Sequence, residues 1–267
     1  LDPERFCSGT INGFCQRIIE NHYEELGYPV SPRPIPEEKR KRILNDLIDK
    51  YPRIADWKYG QRTDSAFVNG KYSKNALTMI GRLFGDIKRE QITIETCRQY
   101  PSFGAYSSQD LTTIFSMYDE FCHILKTSGL LEFDDQLLEV NRLYEMNPSL
   151  FEEMGFKHIL VDEFQDTDLP QIKLLQKMID TTCFKSFMAV GDDSQSIFGF
   201  RHTSPEFMIN FGDYFGRFED FSLVENHRST KDIVAFANMV NDKAVSKVDK
   251  DLIPTKGNGR RPTIQGY

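Results

Sequence analysis

Along the first half of the chain, apolar positions recur at the spacing of amphipathic helices; after residue 155 they gather into short unbroken runs. Ile11, Phe14, Cys15, Ile18, Ile19, Tyr23 and Leu26 share one helical face and predict a helix over 10–26, capped by Thr10. Pro29, Pro32, Pro34 and Pro36 cannot continue it, so this stretch reads as an extended connector and a domain boundary. A charged helix from Glu37 carries Ile43, Leu44, Leu47 and Ile48, and its Lys39–Arg42 run reads as a solvated face. Residues 50–107 are less regular: a loop around 60–70, a helix near Asn75–Arg89, then an irregular segment around Ile92-Thr93-Ile94 and Tyr100-Pro101. Leu111, Ile114, Phe115, Tyr118, Phe121, Cys122 and Leu125 predict a further helix over 109–126. Residues 30–127 therefore read as a mostly helical unit without strands of its own.

The character changes after Gly129. Leu131-Glu132-Phe133-Asp134-Asp135 leads into a helix carrying Leu137, Leu138, Val140 and Leu143, which ends near Asn147-Pro148. His158-Ile159-Leu160-Val161 and Met188-Ala189-Val190 are predicted strands, buried on both faces of a sheet. Each runs into acid: Asp162-Glu163 after the first, Gly191-Asp192-Asp193 after the second. Between them, Asp168 with Gln171 forms a capping-box pattern, Pro170 sits in the first turn, and Ile172, Leu175, Met178 and Ile179 continue the helix. A short helix from Pro205, a third strand over Phe218–Glu225 and a helix capped by Ser229 follow. Alternating strands and helices predict an α/β fold with a parallel sheet.

Composition narrows the picture modestly. With 39% hydrophobic and 27% charged residues the 267-residue chain is an ordinary globular sequence. Thirty-three basic against 40 acidic residues give a net charge of −7, which argues against a protein that coats nucleic acid but not against a local strand-binding groove. No apolar run approaches a membrane span and no signal peptide opens the chain, so a cytoplasmic protein without membrane partners is expected. The five cysteines show no metal-ligand spacing and read as free thiols. A start at Leu1 and an end at Gly266-Tyr267, within a strand-like stretch, read as an internal piece of a longer protein.

The chemistry lies at the strand ends. Open α/β sheets bind ligands at the carboxyl ends of their strands. Two adjacent carboxylates there, Asp162 and Glu163, suit a hard metal ion and a water-activating base. The same pair would also serve as a solvated strand end or as helix-cap carboxylates.

Three segments in order decide between these readings: Leu160-Val161-Asp162-Glu163-Phe164-Gln165-Asp166-Thr167, then Val190-Gly191-Asp192-Asp193-Ser194-Gln195-Ser196-Ile197-Phe198-Gly199-Phe200-Arg201, then Leu223-Val224-Glu225-Asn226-His227-Arg228-Ser229-Thr230. They resemble motifs II, III and IV of the superfamily 1 DNA helicases of the UvrD/Rep/PcrA kind. Gly9-Thr10-Ile11-Asn12-Gly13-Phe14-Cys15 resembles motif Ib, and Phe133-Asp134-Asp135-Gln136-Leu137-Leu138 the element before motif II. The resemblance implies a RecA-like P-loop NTPase sheet: motor domain 1A from 1–29 and 128–216, an inserted helical subdomain 1B over 30–127, and the start of motor domain 2A over 217–267. It implies ATP and Mg²⁺ as cofactors, single-stranded DNA and duplex junctions as partners, and movement 3′ to 5′ with unwinding.

Residue by residue, the resemblance implies that Asp162 holds the magnesium ion of MgATP and Glu163 activates the hydrolytic water. Gln195 would sense the γ-phosphate, Arg228 would be an arginine finger, and His227 would stack on adenine. Phe198 and Phe200 would stack on bases with Arg201 beside them, a grip that reads no sequence; both rings also fit an ordinary core. Thr10 and Asn12 would touch the DNA backbone, although Thr10 also serves as a plain cap.

The chain departs from that pattern in three places. Asn12-Gly13 replaces the usual His-Ser, and His227 stands where a tyrosine is usual. No Gly-x-x-x-x-Gly-Lys-Ser/Thr loop is present; Gly70-Lys71 is followed by Tyr72. Without that backbone cradle and lysine the chain alone is expected not to hydrolyse ATP appreciably. Two other readings stay open: the helicase portion of an AddA/RecB-like helicase–nuclease, and a motor-like module that binds DNA or protein without catalysis.

Overall fold

A computed structural model describes residues 6–54, 67–68, 71–72, 76–196, 205–243, 248 and 250–263. The chain divides into two compact units, residues 1–150 and 151–267.

The first unit is built on helices. α1 (Ile11–Asn21) starts where Thr10 Oγ1 accepts from Gly13 N at 3.0 Å. It stops five residues short of the predicted end, and Tyr23 and Leu26 lie in the turns that follow. β1 (Arg33–Pro34) and α2 (Glu37–Lys50) come next, then the antiparallel pair β2 (Phe67–Val68) and β3 (Lys71–Tyr72). α3 (Ala76–Arg89) and α4 (Ser108–Thr127) complete the helical body. A reciprocal capping box between Ser107 and Asp110 fixes the start of α4, and Asp110 Oδ1 also accepts from Arg53 Nη2 at 2.9 Å. β4 (Leu130–Leu131) pairs parallel with β1, matching Arg33 to Leu130 and Pro34 to Leu131, and leads into α5 (Phe133–Met146).

One apolar core runs from Leu44 to Leu130 and is made by α2, α3, α4 and the segment between the last two. Phe84 lies at its centre, fully buried, with its ring centroid 5.3 Å from Tyr118 and 5.4 Å from Phe121. The expectation of a unit without strands is corrected by β1, β2 and β3. Arg33 and Pro34, inside the proline-rich connector, are extended already and find an edge at Leu130-Leu131, so a strand forms there at little cost. Within the Lys39–Arg42 run, Lys39, Lys41 and Arg42 are exposed as expected, but Arg40 turns inward to Glu132.

The second unit opens with α6 (Leu150–Met154). β5 (His158–Val161) and β6 (Ser186–Ala189) pair in parallel and in register, His158 with Ser186 through Val161 with Ala189. α7 (Leu169–Ile179) connects them, started by the predicted Asp168–Gln171 capping box. Phe164, Phe187, Phe211 and Phe215 pack as an aromatic cluster, with Phe187 stacked on Phe211 at 5.7 Å. Two of these rings come from α9 (Phe211–Phe215), which follows α8 (Glu206–Ile209). β7 (Glu225–Asn226), α10 (Lys231–Asn241) and β8 (Ile253–Pro254) finish the unit, β7 pairing parallel with β8.

Three expectations are corrected here. Burial of β5 and β6 on both faces fails: Leu160 is 72% and Met188 55% exposed on the outer face. The predicted strand Phe218–Glu225 shrinks to Glu225–Asn226, and Leu223 is 89% exposed, because among the described residues no strand pairs with 218–223. The helix predicted to be capped by Ser229 is capped by Thr230, since Asn226 Oδ1 takes the N–H groups of both Arg228 and Ser229 and holds them in the preceding turn.

Candidate functional site

The parallel register of β5 and β6 decides where the acidic strand ends meet. The ladder continues past both strands: Val190 N donates to Val161 O at 2.8 Å, and Phe164 N donates to Val190 O at 2.9 Å. Asp162-Glu163 and Gly191-Asp192 are thereby brought to one end of the sheet.

Asp162 and Glu163 are both exposed, and Asp162 Oδ1 accepts from Glu163 N at 2.9 Å. Glu163 has φ +51° and ψ +42°, the left-handed region that a residue with a β-carbon occupies only at some cost. Its carboxylate is met by a group that sequence reasoning did not select. Gln165, 1% exposed, donates from Nε2 to Glu163 Oε2 at 2.7 Å and accepts at Oε1 from Asp192 N at 2.9 Å. Gly191 makes room for that amide, as a β-carbon there would lie 2.5 Å from Gln165 Oε1. The only hint in the sequence is an uncharged amide set among carboxylates.

Asp192 extends the network. Its Oδ2 accepts from Gln195 Nε2 at 2.8 Å, and its Oδ1 accepts from Lys250 Nζ at 2.5 Å. The same ammonium donates to the buried Asp193 Oδ1 at 2.5 Å, and Asp193 Oδ2 accepts from Val248 N at 2.9 Å. Burial pushes the Asp192 carboxyl up, but the hydrogen bonds from Lys250 and Gln195 outweigh it and hold it below the usual carboxylate range. Ser194 Oγ meets Asn241 Oδ1 at 2.9 Å, joining this loop to α10.

The structure therefore unites Asp162, Glu163 and Gln195 with Gln165, Asp192 and Lys250. His227 and Arg228 are exposed on the turn after β7 and, among the described residues, stand outside this hydrogen-bonded network. His227 Nδ1 meets Thr255 Oγ1 at 3.0 Å, and its Nε2 lies 3.4 Å from Glu225 Oε2. Thr10 is occupied as the cap of α1, and Asn12 Nδ2 donates to Phe133 O at 3.0 Å and Gln136 Oε1 at 2.8 Å. Phe198, Phe200 and Arg201 lie outside the described residues.

Among the described residues no three His, Cys, Asp or Glu side chains gather as a metal-binding group. One or two exposed carboxylates suit Mg²⁺, which keeps most of its waters and shares its remaining positions with phosphate. Asp162 and Glu163 fit that requirement and would not suit a fully protein-caged metal. No helix among the described residues is long and apolar enough to cross a membrane.

Sequence comparison relates the chain to known proteins. The chain is 26% identical over 246 residues to the DNA helicase II of Haemophilus influenzae, covering 91% of this chain and 30% of that protein. It is 26% identical over 254 residues to the ATP-dependent DNA helicase PcrA of Staphylococcus aureus, covering 94% of this chain and 32% of that protein. The chain thus spans about a third of the length of these relatives. The description "UvrD/REP helicase N-terminal domain" matches residues 4–216, and the chain belongs to that family.

Proposed function

We propose that this chain is the ATP-hydrolysing and strand-coupling part of a DNA helicase that uses MgATP to move along single-stranded DNA, 3′ to 5′, and to open duplex at junctions. The observation that carries this reading is the in-register pairing of β5 with β6, which draws Asp162-Glu163 and Asp192–Gln195 into one hydrogen-bonded network. Family membership and the helicase names of the relatives support it.

In this reading residues 1–29 and 128–216 belong to a RecA-like domain 1A, 30–127 form an inserted domain 1B, and 217–267 begin domain 2A. Asp162 holds Mg²⁺, which supplies charge neutralisation at the phosphates. Glu163 accepts the proton of the attacking water, and Gln195 orients on the γ-phosphate. Arg228 offers its guanidinium to the charge that develops in phosphoryl transfer, and His227 stacks on the base. Because Thr10 and Asn12 spend their side chains within the unit, strand contact falls mainly to Phe198, Phe200 and Arg201, where rings stack on bases. The 267 residues alone do not turn over ATP, since they contain no phosphate-binding loop to cradle the β- and γ-phosphates.

The test is Glu163→Gln in the full-length protein that carries this sequence. ATP binding is expected to persist while DNA-stimulated turnover falls by about 10²-fold or more, the size of a general-base contribution. Unchanged turnover would overturn the reading.

A further inference from the structure

Gln165 stands out among the buried polar side chains of the second unit. It is 1% exposed, and both ends of its amide are used for bonds that join two different loops. The orientation of the amide follows from chemistry. Asp192 N–H can only donate, so Oε1 faces it; Nε2 is then left to Glu163, whose carboxylate must accept. Glu163 sits in left-handed backbone, so its side chain leaves the chain in an uncommon direction and needs a partner to hold it there. From Asp192 the path continues to Gln195 Nε2 at 2.8 Å.

We infer that Gln165 is a positioning residue: its amide aims the Glu163 carboxylate and ties that aim to the loop carrying Gln195. The inference rests on the assignment of Glu163 as the base. A shift of the Asp192 backbone when Gln195 changes partner pulls directly on Gln165 Oε1, and the opposite end of the same rigid amide moves the base. The linkage needs only four side chains, those of Glu163, Gln165, Asp192 and Gln195, and one backbone N–H. Gly191, whose lack of a β-carbon opens the amide's seat, is part of the same device.

The experiment is steady-state ATP hydrolysis by the full-length protein with Gln165→Glu and Gln165→Met, alongside Glu163→Gln. Gln165→Glu keeps an acceptor for Asp192 N–H but faces Glu163 with a like charge. Gln165→Met keeps the volume and removes both bonds. In each, kcat is expected to fall about 10- to 100-fold, the usual effect of losing a group that orients a functional residue, with direct ATP affinity within about threefold of the parent. A purely structural role would lower the melting temperature and weaken ATP binding together with kcat, whereas a positioning role lowers kcat at unchanged ATP affinity. Retention of kcat within about twofold in either folded variant overturns the inference, as does a loss of ATP affinity that matches the loss in kcat. If Glu163→Gln itself keeps full turnover, the base assignment fails, whichever way Gln165 behaves.

Discussion

Asn12 donates its side-chain amide to Gln136 Oε1 at 2.8 Å, fastening α1 to α5 across 124 positions of sequence. Gln136 is 2% exposed and in turn donates to Gln16 Oε1 at 3.0 Å, so the contact belongs to a buried amide chain. Asn12→Ala removes the donor and leaves Gln136 Oε1 and Phe133 O to be satisfied otherwise. A loss of about 1–3 kcal/mol in stability is expected, the usual cost of an orphaned buried acceptor, readable by urea denaturation. Single-strand affinity measured on the same variant is expected to change little.

Lys88, 2% exposed, carries the one ammonium that Glu132 and Asp135 share, with Asp135 Oδ1 at 2.8 Å. Burial pushes Lys88 down, but Asp135 and Glu132 outweigh it and hold it above the ordinary lysine range. Lys88→Met leaves two largely buried carboxylates, 12% and 18% exposed, with Arg40 as the remaining cation at Glu132. Destabilisation of about 3–5 kcal/mol is expected, because breaking a buried pair strands its partner. Adding Glu132→Gln and Asp135→Asn is expected to recover much of it, a result that chemical denaturation of the triple variant checks.

The Lys250 clamp gives a pH signature. Asp192 titrates below the ordinary carboxylate range in the fold, so its contribution is present above the unfolded value of about 3.9 and is lost as pH falls through the lowered folded value. Lys250→Met is expected to cost about 1 kcal/mol near neutral pH, as the pair is only partly buried. The gap to the parent should close in acid as Asp192 protonates. Denaturation series at neutral pH and below pH ~3 read this directly; a gap that widens in acid would contradict it.

Gly191→Ala places a β-carbon 2.5 Å from Gln165 Oε1 and 3.1 Å from Phe164 N. The backbone atom cannot yield, so Gln165 must. A stability loss of about 1–3 kcal/mol is expected from overpacking, together with reduced ATP turnover in the full-length protein. Thermal melts and kcat measured side by side separate the two effects.

Local signals in the sequence reported local structure well. The Asp168–Gln171 pattern and the Thr10 cap carry their own hydrogen-bond partners within a few residues, and β5 falls on His158–Val161 as its apolar run predicts. Signals that depend on a distant partner reported less. Phe221 and Leu223 alternate like a strand, yet alternation describes a face and cannot supply the neighbouring backbone that makes it one. The apolar run of β5 likewise does not say how many layers cover it, and Leu160 proves open. Within the hydrogen-bonded network, Asp162, Glu163 and Gln195 stand out in the sequence through their motifs. Gln165 and Lys250 do not, because the first works through geometry made by Gly191 and the second reaches Asp192 across 58 positions.

The parallel pairing of Arg33-Pro34 with Leu130-Leu131 has a practical consequence. Adjacent strands lie about 4.8 Å apart, but in a parallel pair the polypeptide leaves β1 at one end of the ladder, at Ile35, and enters β4 from the other, at Gly129. A cassette bounded in this way can be cut out and its ends rejoined with a crossover linker of about a dozen residues, as parallel neighbours require. Glu132 and Asp135 would have to be neutralised in the same step, since their cations Arg40 and Lys88 depart with the excised piece. The helical body is thus removable hardware, wired to its socket by three carboxylates, Asp134 joining the other two through Arg89 Nη1 at 3.2 Å.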